Sequence, residues 1–459
     1  TVAYSGINRS IRLMDNAEEA NISEADKKSY NAEGRVLRDW YYLVLWKTWG
    51  NVPFYTENLT FPYIAEQLKA DEVYNNMVTD LEEVLDSKIL PMKRELTWAG
   101  RMTQAAAAMI YADYVMYQKD ESRYSKALGY VKEVIASGQY KLVTDYDDLF
   151  TYATEWSDEI ILDINYISAG GKRGWGDAGA CGGTVIPAMI GVDGLTYVGG
   201  QETGHGPYTE FEGGWGFCVI TRDAYEAFEP GDIRRDVAVL NLDTYQEEMM
   251  NRGIAVNYTG RYQNTGYFLR KYLGRPGGKA DQAGDADLNW ENNFHLYRYA
   301  ETLLVAAELA WRTNSGEAQG YFDQVRERAG LSPKAITEEA IMQERRVELL
   351  GEGKRYFDLV RFGKAAEVLK PGGGAIYVTK DAHRFVCTEG TVTQDKPKGE
   401  VKTNADGKPL NLVINGELKW TGTGAAIPQR PQWTENKKYL PIPQIEIESS
   451  HGATVQNPY

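Results

Sequence analysis

The stretch Glu344-Arg345-Arg346-Val347-Glu348-Leu349-Leu350-Gly351-Glu352-Gly353-Lys354-Arg355-Tyr356-Phe357-Asp358-Leu359-Val360-Arg361 decides the fold. Acids and arginines alternate in it at helical spacing, which predicts two helices facing each other across a hairpin with interleaved charges. This is the pattern of a structural ion-pair lattice. Exposed pairs of that kind mainly fix geometry, each being worth under ~1 kcal/mol.

The same periodicity recurs on either side. Tyr299 to Trp311 pairs with Glu317 to Ala329, and Glu338 to Leu350 pairs with Tyr356 to Leu369. Nearer the start, Val36, Trp40, Leu43, Val44 and Trp46 form the inward stripe of a first helix that ends before Gly50 and Pro53. Asp71 to Leu85 follows, with Asp71 placed to cap its first turn. Thr103 to Tyr117 contains the run Ala105 to Ala108, whose small side chains admit a close neighbour. That neighbour is Ser122 to Ser137, stopped by Gly138. Four helical hairpins of about 30 to 50 residues give the period of tetratricopeptide-like repeats, although the strict repeat signature is absent. The expected fold is therefore mostly α: a tetratricopeptide-like scaffold of four helix pairs with a loop-rich, small-β remainder. One domain spans 1–459, with helical pairs at about 35–140 and 296–370 and loop-rich regions at about 165–290 and 371–436.

Between the helical blocks, roughly a third of the positions from Ser168 to Gly216 are glycine, which predicts little regular structure. Ordering so much glycine costs backbone entropy, so the segment needs a packing or ligand-holding reason to be fixed. Alternation in Ile160 to Ile164 predicts one short strand before it, and the polar, Gly/Pro-rich Pro371 to Asn436 reads as a surface insertion with a few short strands.

Composition narrows the ligand. A net charge of -15 disfavours nucleic acid and anionic lipid, both of which would repel the chain at long range. The 31 Tyr and 11 Trp against 12 Phe favour rings with a polar handle, which suit a neutral, hydroxyl-rich ligand. No apolar run of about 18 residues exists to span a bilayer, and Thr1 to Arg12 lack the pattern of a signal peptide. Cys181, Cys218 and Cys387 are far apart, which allows at most one disulfide and no zinc site of paired cysteines.

Catalysis has no visible seat. His205, His295, His383 and His451 are not at metal-ligand spacing, and neither a G-x-S-x-G elbow nor a phosphate loop occurs. Asp285-Ala286-Asp287-Leu288-Asn289 imitates the start of a calcium loop, but Trp290 stands where the turn needs glycine. No metal, cofactor or catalytic residue is expected. A pair of carboxylates across a cleft is the one arrangement that 65 acidic residues leave open, so an all-helical glycoside hydrolase stays as a distant alternative.

The opening stretch resembles the signature of the SusD/RagB family. Further matches follow in order: Leu37-Arg38-Asp39-Trp40-Tyr41-Tyr42 to Trp49-Gly50-Asn51-Val52-Pro53; the Ala-rich helix with Ser137-Gly138-Gln139-Tyr140; and Phe228-Glu229-Pro230-Gly231-Asp232-Ile233-Arg234-Arg235. Arg298-Tyr299-Ala300-Glu301 to Val325-Arg326-Glu327-Arg328-Ala329-Gly330-Leu331, and Tyr439-Leu440-Pro441-Ile442-Pro443-Gln444 to Gln456-Asn457-Pro458-Tyr459, complete the set. The resemblance implies a non-enzymatic, lipid-anchored protein of the outer-membrane surface. Such a protein captures an oligosaccharide and delivers it to a SusC-like TonB-dependent transporter, and the lipid-bearing segment is expected upstream of Thr1. A peptide ligand is the alternative within the same kind of importer. Sugars need aromatic platforms and planar polar groups. Trp175, Tyr197, Tyr208 and Trp215, with Trp290 and Arg275, are expected to line one exposed arc of the loop-rich face, while the helical face meets the transporter. Trp40, Trp46 and Trp49 are expected in the core.

Overall fold

The structure, a computed structural model, describes residues 2–457 apart from 169–173, 176–181, 200–208, 252–253, 261–263, 280–284 and all of 371–431 except four short strands. Helix α1, Val2–Glu19, packs along α2, Glu24–Trp49. The apolar stripe that starts at Val36 marks only the second half of α2, and α1 carries no comparable stripe. The two approach closely because a Cβ at Gly6 would lie 2.2 Å from the Tyr41 ring and one at Gly34 would lie 2.5 Å from Met14. Ser23 caps α2, its hydroxyl accepting the Asp26 N–H at 3.1 Å. Trp46 is fully buried, and Trp40 and Trp49 are half-buried against the same core.

Helix α3, Ala70–Ser87, has its N-cap at Lys69 and not at Asp71, and the Glu72 carboxylate accepts the Lys69 N–H at 3.0 Å. Helix α4, Gln104–Gln118, is capped by Thr103 and buries all of Ala105, Ala106, Ala107 and Ala108 among α2, α3 and α5, Tyr124–Ala136. Short side chains remove little rotamer freedom and let helices approach on several sides, which places this run at the centre of the bundle.

The second helical block docks on the first through α6, Tyr299–Arg312, against α5. Helix α7, Ala318–Arg328, and α8, Glu338–Glu348, both pack on α6, and α9, Arg355–Arg361, reaches back to α4. The expected helix from Tyr356 to Leu369 is cut after Arg361 by Gly363 at φ +69, and a separate turn, Ala365–Val368, follows.

Strand Ile160–Ile164 pairs antiparallel with Phe294–Arg298, so the loop-rich insertion leaves and re-enters the scaffold at one place. The segment expected to lack regular structure contains a short helix, Ile186–Ile190, and a strand, Thr196–Gly199, paired with Ile254–Asn257. Phe211, Val239, Tyr258, Phe268 and Leu273 form a second core beneath it. Within 371–431 the described strands pair as Arg384–Cys387 with Leu412–Asn415 and Ile376–Tyr377 with Ala425–Ala426.

Most charges of the opening stretch are buried and none is fully exposed, and most partners lie outside the hairpin. Arg298 spends all five guanidinium N–H groups on Glu159, Glu348, Glu352 and the Glu348 carbonyl, at 2.5 to 2.9 Å. Arg234 reaches Glu344 at 2.6 Å, Glu348 at 2.8 Å and Asp232 at 2.7 Å, while Arg328 pairs with Glu159 and Glu348. Lys271 binds Glu352 at 2.7 Å. Across the hairpin itself, Arg345 meets Asp358 at 3.0 Å, and Arg361 joins Asp358 to Glu308. Burial opposes ionisation of Glu352, but Arg298 and Lys271 beside it hold its carboxyl at about 2. Burial likewise opposes the charge on Asp358, and Arg345 and Arg361 hold it at about 2. Desolvation of this kind is tolerated only where every charge is matched, so the lattice selects one arrangement of the segments it joins.

Candidate functional site

Two of the further matches to the family signature, Phe228 to Arg235 and Arg298 to Leu331, meet in that lattice through Arg234, Arg298 and Arg328, with Glu348 of the opening stretch between them. All are nearly inaccessible, so this cluster holds the scaffold and offers a ligand no surface.

The exposed chemistry lies on the glycine-rich loop. Trp175 is 67% exposed and its ring centroid stands 5.8 Å from that of Trp215, the planes 30° apart. Phe217, 46% exposed, sets its edge toward Trp215 at 6.3 Å. The backbone explains how bulky rings are fixed on a loop. Trp215 N–H donates to the Ala188 carbonyl at 2.7 Å, Gly216 N–H to Gly191 at 2.8 Å and Phe217 N–H to Met189 at 2.9 Å, lacing the turn to the short helix. A Cβ at Gly214 would come within 2.4 Å of the Ala188 carbonyl oxygen, and Gly216 has φ +69. The glycine density therefore has a packing cause, and its product is a platform of Trp175, Trp215 and Phe217 rimmed by the part-exposed Met189.

Other residues expected on the arc lie elsewhere. Trp290 is fully buried: a Cβ at Gly274 would lie 2.2 Å from its ring, and its backbone bridges Thr184 and Lys279. It presents no face to solvent. Tyr197 is half-buried in a hydroxyl chain, 3.0 Å from the Tyr245 hydroxyl, which donates to Glu210 at 3.0 Å. Arg275 is turned inward, donating to the Phe150 carbonyl at 2.7 Å and lying 5.4 Å from the Phe211 ring. Tyr208 lies outside the described residues. Phe217 and Met189 lack the polar handle that marks a sugar-stacking ring in sequence; the alternation of Trp215 and Phe217 about Gly216 is the signal that points to them.

Asp285 of the calcium-like run caps its own turn, accepting the Asp287 N–H at 3.0 Å, while the Asn289 amide donates to the Asp285 carbonyl at 2.6 Å. Among the described residues no three His, Cys, Asp or Glu side chains gather at metal-binding distance.

Beside the strand Phe294–Arg298, Glu155 accepts the Asn293 N–H at 3.0 Å. Burial, with Glu291 and Asp163 nearby, pushes its carboxyl up to about 7 against that hydrogen bond. A lone raised carboxyl can hold a proton at neutral pH, but hydrolysis of a glycoside needs a second one across a cleft.

Comparison with known proteins places this geometry. Residues 158–459 match the model of the SusD family. The chain is 38% identical to surface glycan-binding protein A from Bacteroides thetaiotaomicron, solved in complex with laminarihexaose; the match covers 100% of this chain and 84% of that one, with a TM-score of 0.78. A laminarin-binding SusD-like protein is 28% identical over 99% of this chain and 84% of its own, with a TM-score of 0.77. The starch-binding protein SusD of Bacteroides thetaiotaomicron is 25% identical over 76% of this chain and 67% of its own length. With the family model matched over more than half its length and a helical-pair scaffold shared with these relatives, the chain belongs to the SusD family.

Proposed function

We propose that this chain is a cell-surface glycan-binding subunit that captures an oligosaccharide without cleaving it and passes it to a SusC-like TonB-dependent transporter. The pairing of exposed Trp175 with half-buried Trp215, extended by exposed Phe217, is the observation that supports this reading. Two flat rings 5.8 Å apart, at 30°, form a shallow curved platform that can stack on the C–H faces of consecutive pyranose units. The relatives named for laminarihexaose and laminarin make a β-glucan of the laminarin type the first ligand to test. The acidic net charge agrees with a neutral ligand. Attachment to the outer face of the outer membrane through a lipid is part of the same proposal, as is the absence of a cofactor.

Calorimetry with laminarin oligosaccharides tests it. The wild type should bind, and the Trp175→Ala/Trp215→Ala variant should lose at least tenfold in affinity, or ~1.4 kcal/mol. Unchanged affinity in the variant removes this surface from the site. Shortened products after prolonged incubation would sink the non-catalytic reading.

A further inference from the structure

A second surface carries more exposed apolar area than folding requires. Phe61 is 86% exposed, Tyr63 69%, Ile445 70% and Val455 64%, and they belong to two short segments that meet beside the end of α2. The Phe61 and Tyr63 rings stand edge to face at 6.2 Å. Tyr63 has φ +61, a left-handed conformation that costs a side-chain-bearing residue energy, closed by its N–H donating to the Thr60 carbonyl at 2.7 Å. Below these rings opens a cavity of about 310 Å³ walled by Tyr4, Trp49, Tyr55 and Ile442, with Glu446 its one charged lining residue. Apolar side chains gathered round a preformed pocket are the usual seat of a protein anchor.

The wall chemistry distinguishes partners. Planar donors and acceptors for a sugar are scarce, and the Ser450 hydroxyl is already engaged, donating to the Ile447 carbonyl at 2.7 Å and accepting the Thr454 N–H at 3.0 Å. The two segments, 57–66 and 440–455, contain Glu57, Glu66, Glu446 and Glu448 but neither lysine nor arginine. A complementary partner therefore presents an apolar side chain flanked by a basic one.

We infer that this mouth, lined by Tyr63 and Glu446 with the exposed Phe61 packed on Tyr63 and the exposed Ile445 next to Glu446 in the chain, is the place where the transporter of the proposed function takes hold, inserting an apolar anchor beside a lysine or arginine of one of its loops. The inference rests on that reading and narrows the contact from a whole helical face to one pocket.

The test co-expresses the full-length protein with its cognate transporter and measures co-elution in detergent. Phe61→Ser/Ile445→Ser and, separately, Glu446→Lys should each lower the co-eluting fraction tenfold or more while glycan affinity stays within twofold. Because Phe61 and Ile445 are largely exposed, melting temperature should be unchanged; Ile445→Ser alone serves if the double variant fails to fold. A wild type that does not co-elute defeats the transporter reading itself. A wild type that co-elutes, with variants that do so equally well, overturns only this surface. Loss of glycan binding in Phe61→Ser/Ile445→Ser overturns it too, by making the mouth a sugar platform. So does hydroxyl-radical footprinting in which Phe61 and Tyr63 of the isolated full-length protein are already shielded.

Discussion

Arg298 and Glu348, 50 residues apart in sequence, meet at 2.5 Å with side chains almost wholly removed from solvent. Arg298 immediately precedes α6 and Glu348 closes α8, so their contact ties the start of one helix to the end of the other. Removing one partner of such a pair strands the other's charge. Arg298→Ala should therefore cost about 3 to 5 kcal/mol. Urea denaturation of the variant measures this; a loss under ~1 kcal/mol would show that the lattice is dispensable.

Acid should dissolve the lattice. Glu352 and Asp358 are held at about 2, below the ordinary carboxylate values of 4.5 and 3.8. A depressed pKa contributes stability that is present above the unfolded value and lost as pH falls through the folded one. The urea midpoint should thus fall steadily between about pH 4.5 and pH 2. Glu352→Gln should shrink that slope, and an unaltered slope would falsify the assignment.

Glu155 works in the opposite sense. Its carboxyl is raised from 4.5 to about 7, so the stability it contributes is complete below about 4.5 and is lost as pH rises through about 7. Glu155→Gln keeps an oxygen to accept the Asn293 N–H while removing the titration. The variant should melt higher than the wild type at pH 8 and no higher at pH 4, read by calorimetric scans at both values.

Gly214→Ala should damage the platform and spare the scaffold. The added methyl would lie 2.4 Å from the Ala188 carbonyl oxygen, so the turn carrying Trp215 must shift. Laminarin affinity is expected to fall at least fivefold, or ~1 kcal/mol, with the helical circular dichroism unchanged. Retained affinity would mean that Trp215 needs no fixed turn.

Gly274→Ala probes the buried indole instead. Its methyl would fall 2.2 Å from the Trp290 ring, inside a filled region, and overpacking of that kind typically costs 1 to 3 kcal/mol. Thermal melting should register the loss; an unshifted melt would mean that the ring can move.

Helix periodicity was readable wherever the apolar stripe was dense, as in Leu81 and Leu85 of α3 or Leu303 and Leu304 of α6. It failed for α1, whose inward stripe is thin, Ile7 and Ile11 being its only large fully buried residues, and which relies on Gly6 to approach α2. The charged stretch was legible as a lattice but not as a buried one. Its partners Arg234, Lys271 and Arg328 come from elements whose placement no local pattern announces. At the candidate site, Trp175 and Trp290 look alike in sequence, both being tryptophans of the loop-rich region between the helical blocks. What separates them is Gly274, which accepts the Trp290 ring against its backbone, while Trp175 has only Trp215 beside it among the described rings. Burial depends on such distant complements, and composition is blind to them.

Arg234, Arg298 and Arg328 find their counter-charges only when Glu159, Glu348 and Glu352 are also in place, with Asp232 and Glu344 completing the set, so the buried charges are matched only in the assembled chain. A polypeptide stopped before Glu348 would carry naked guanidinium groups into its interior, so maturation must await the last third of the chain.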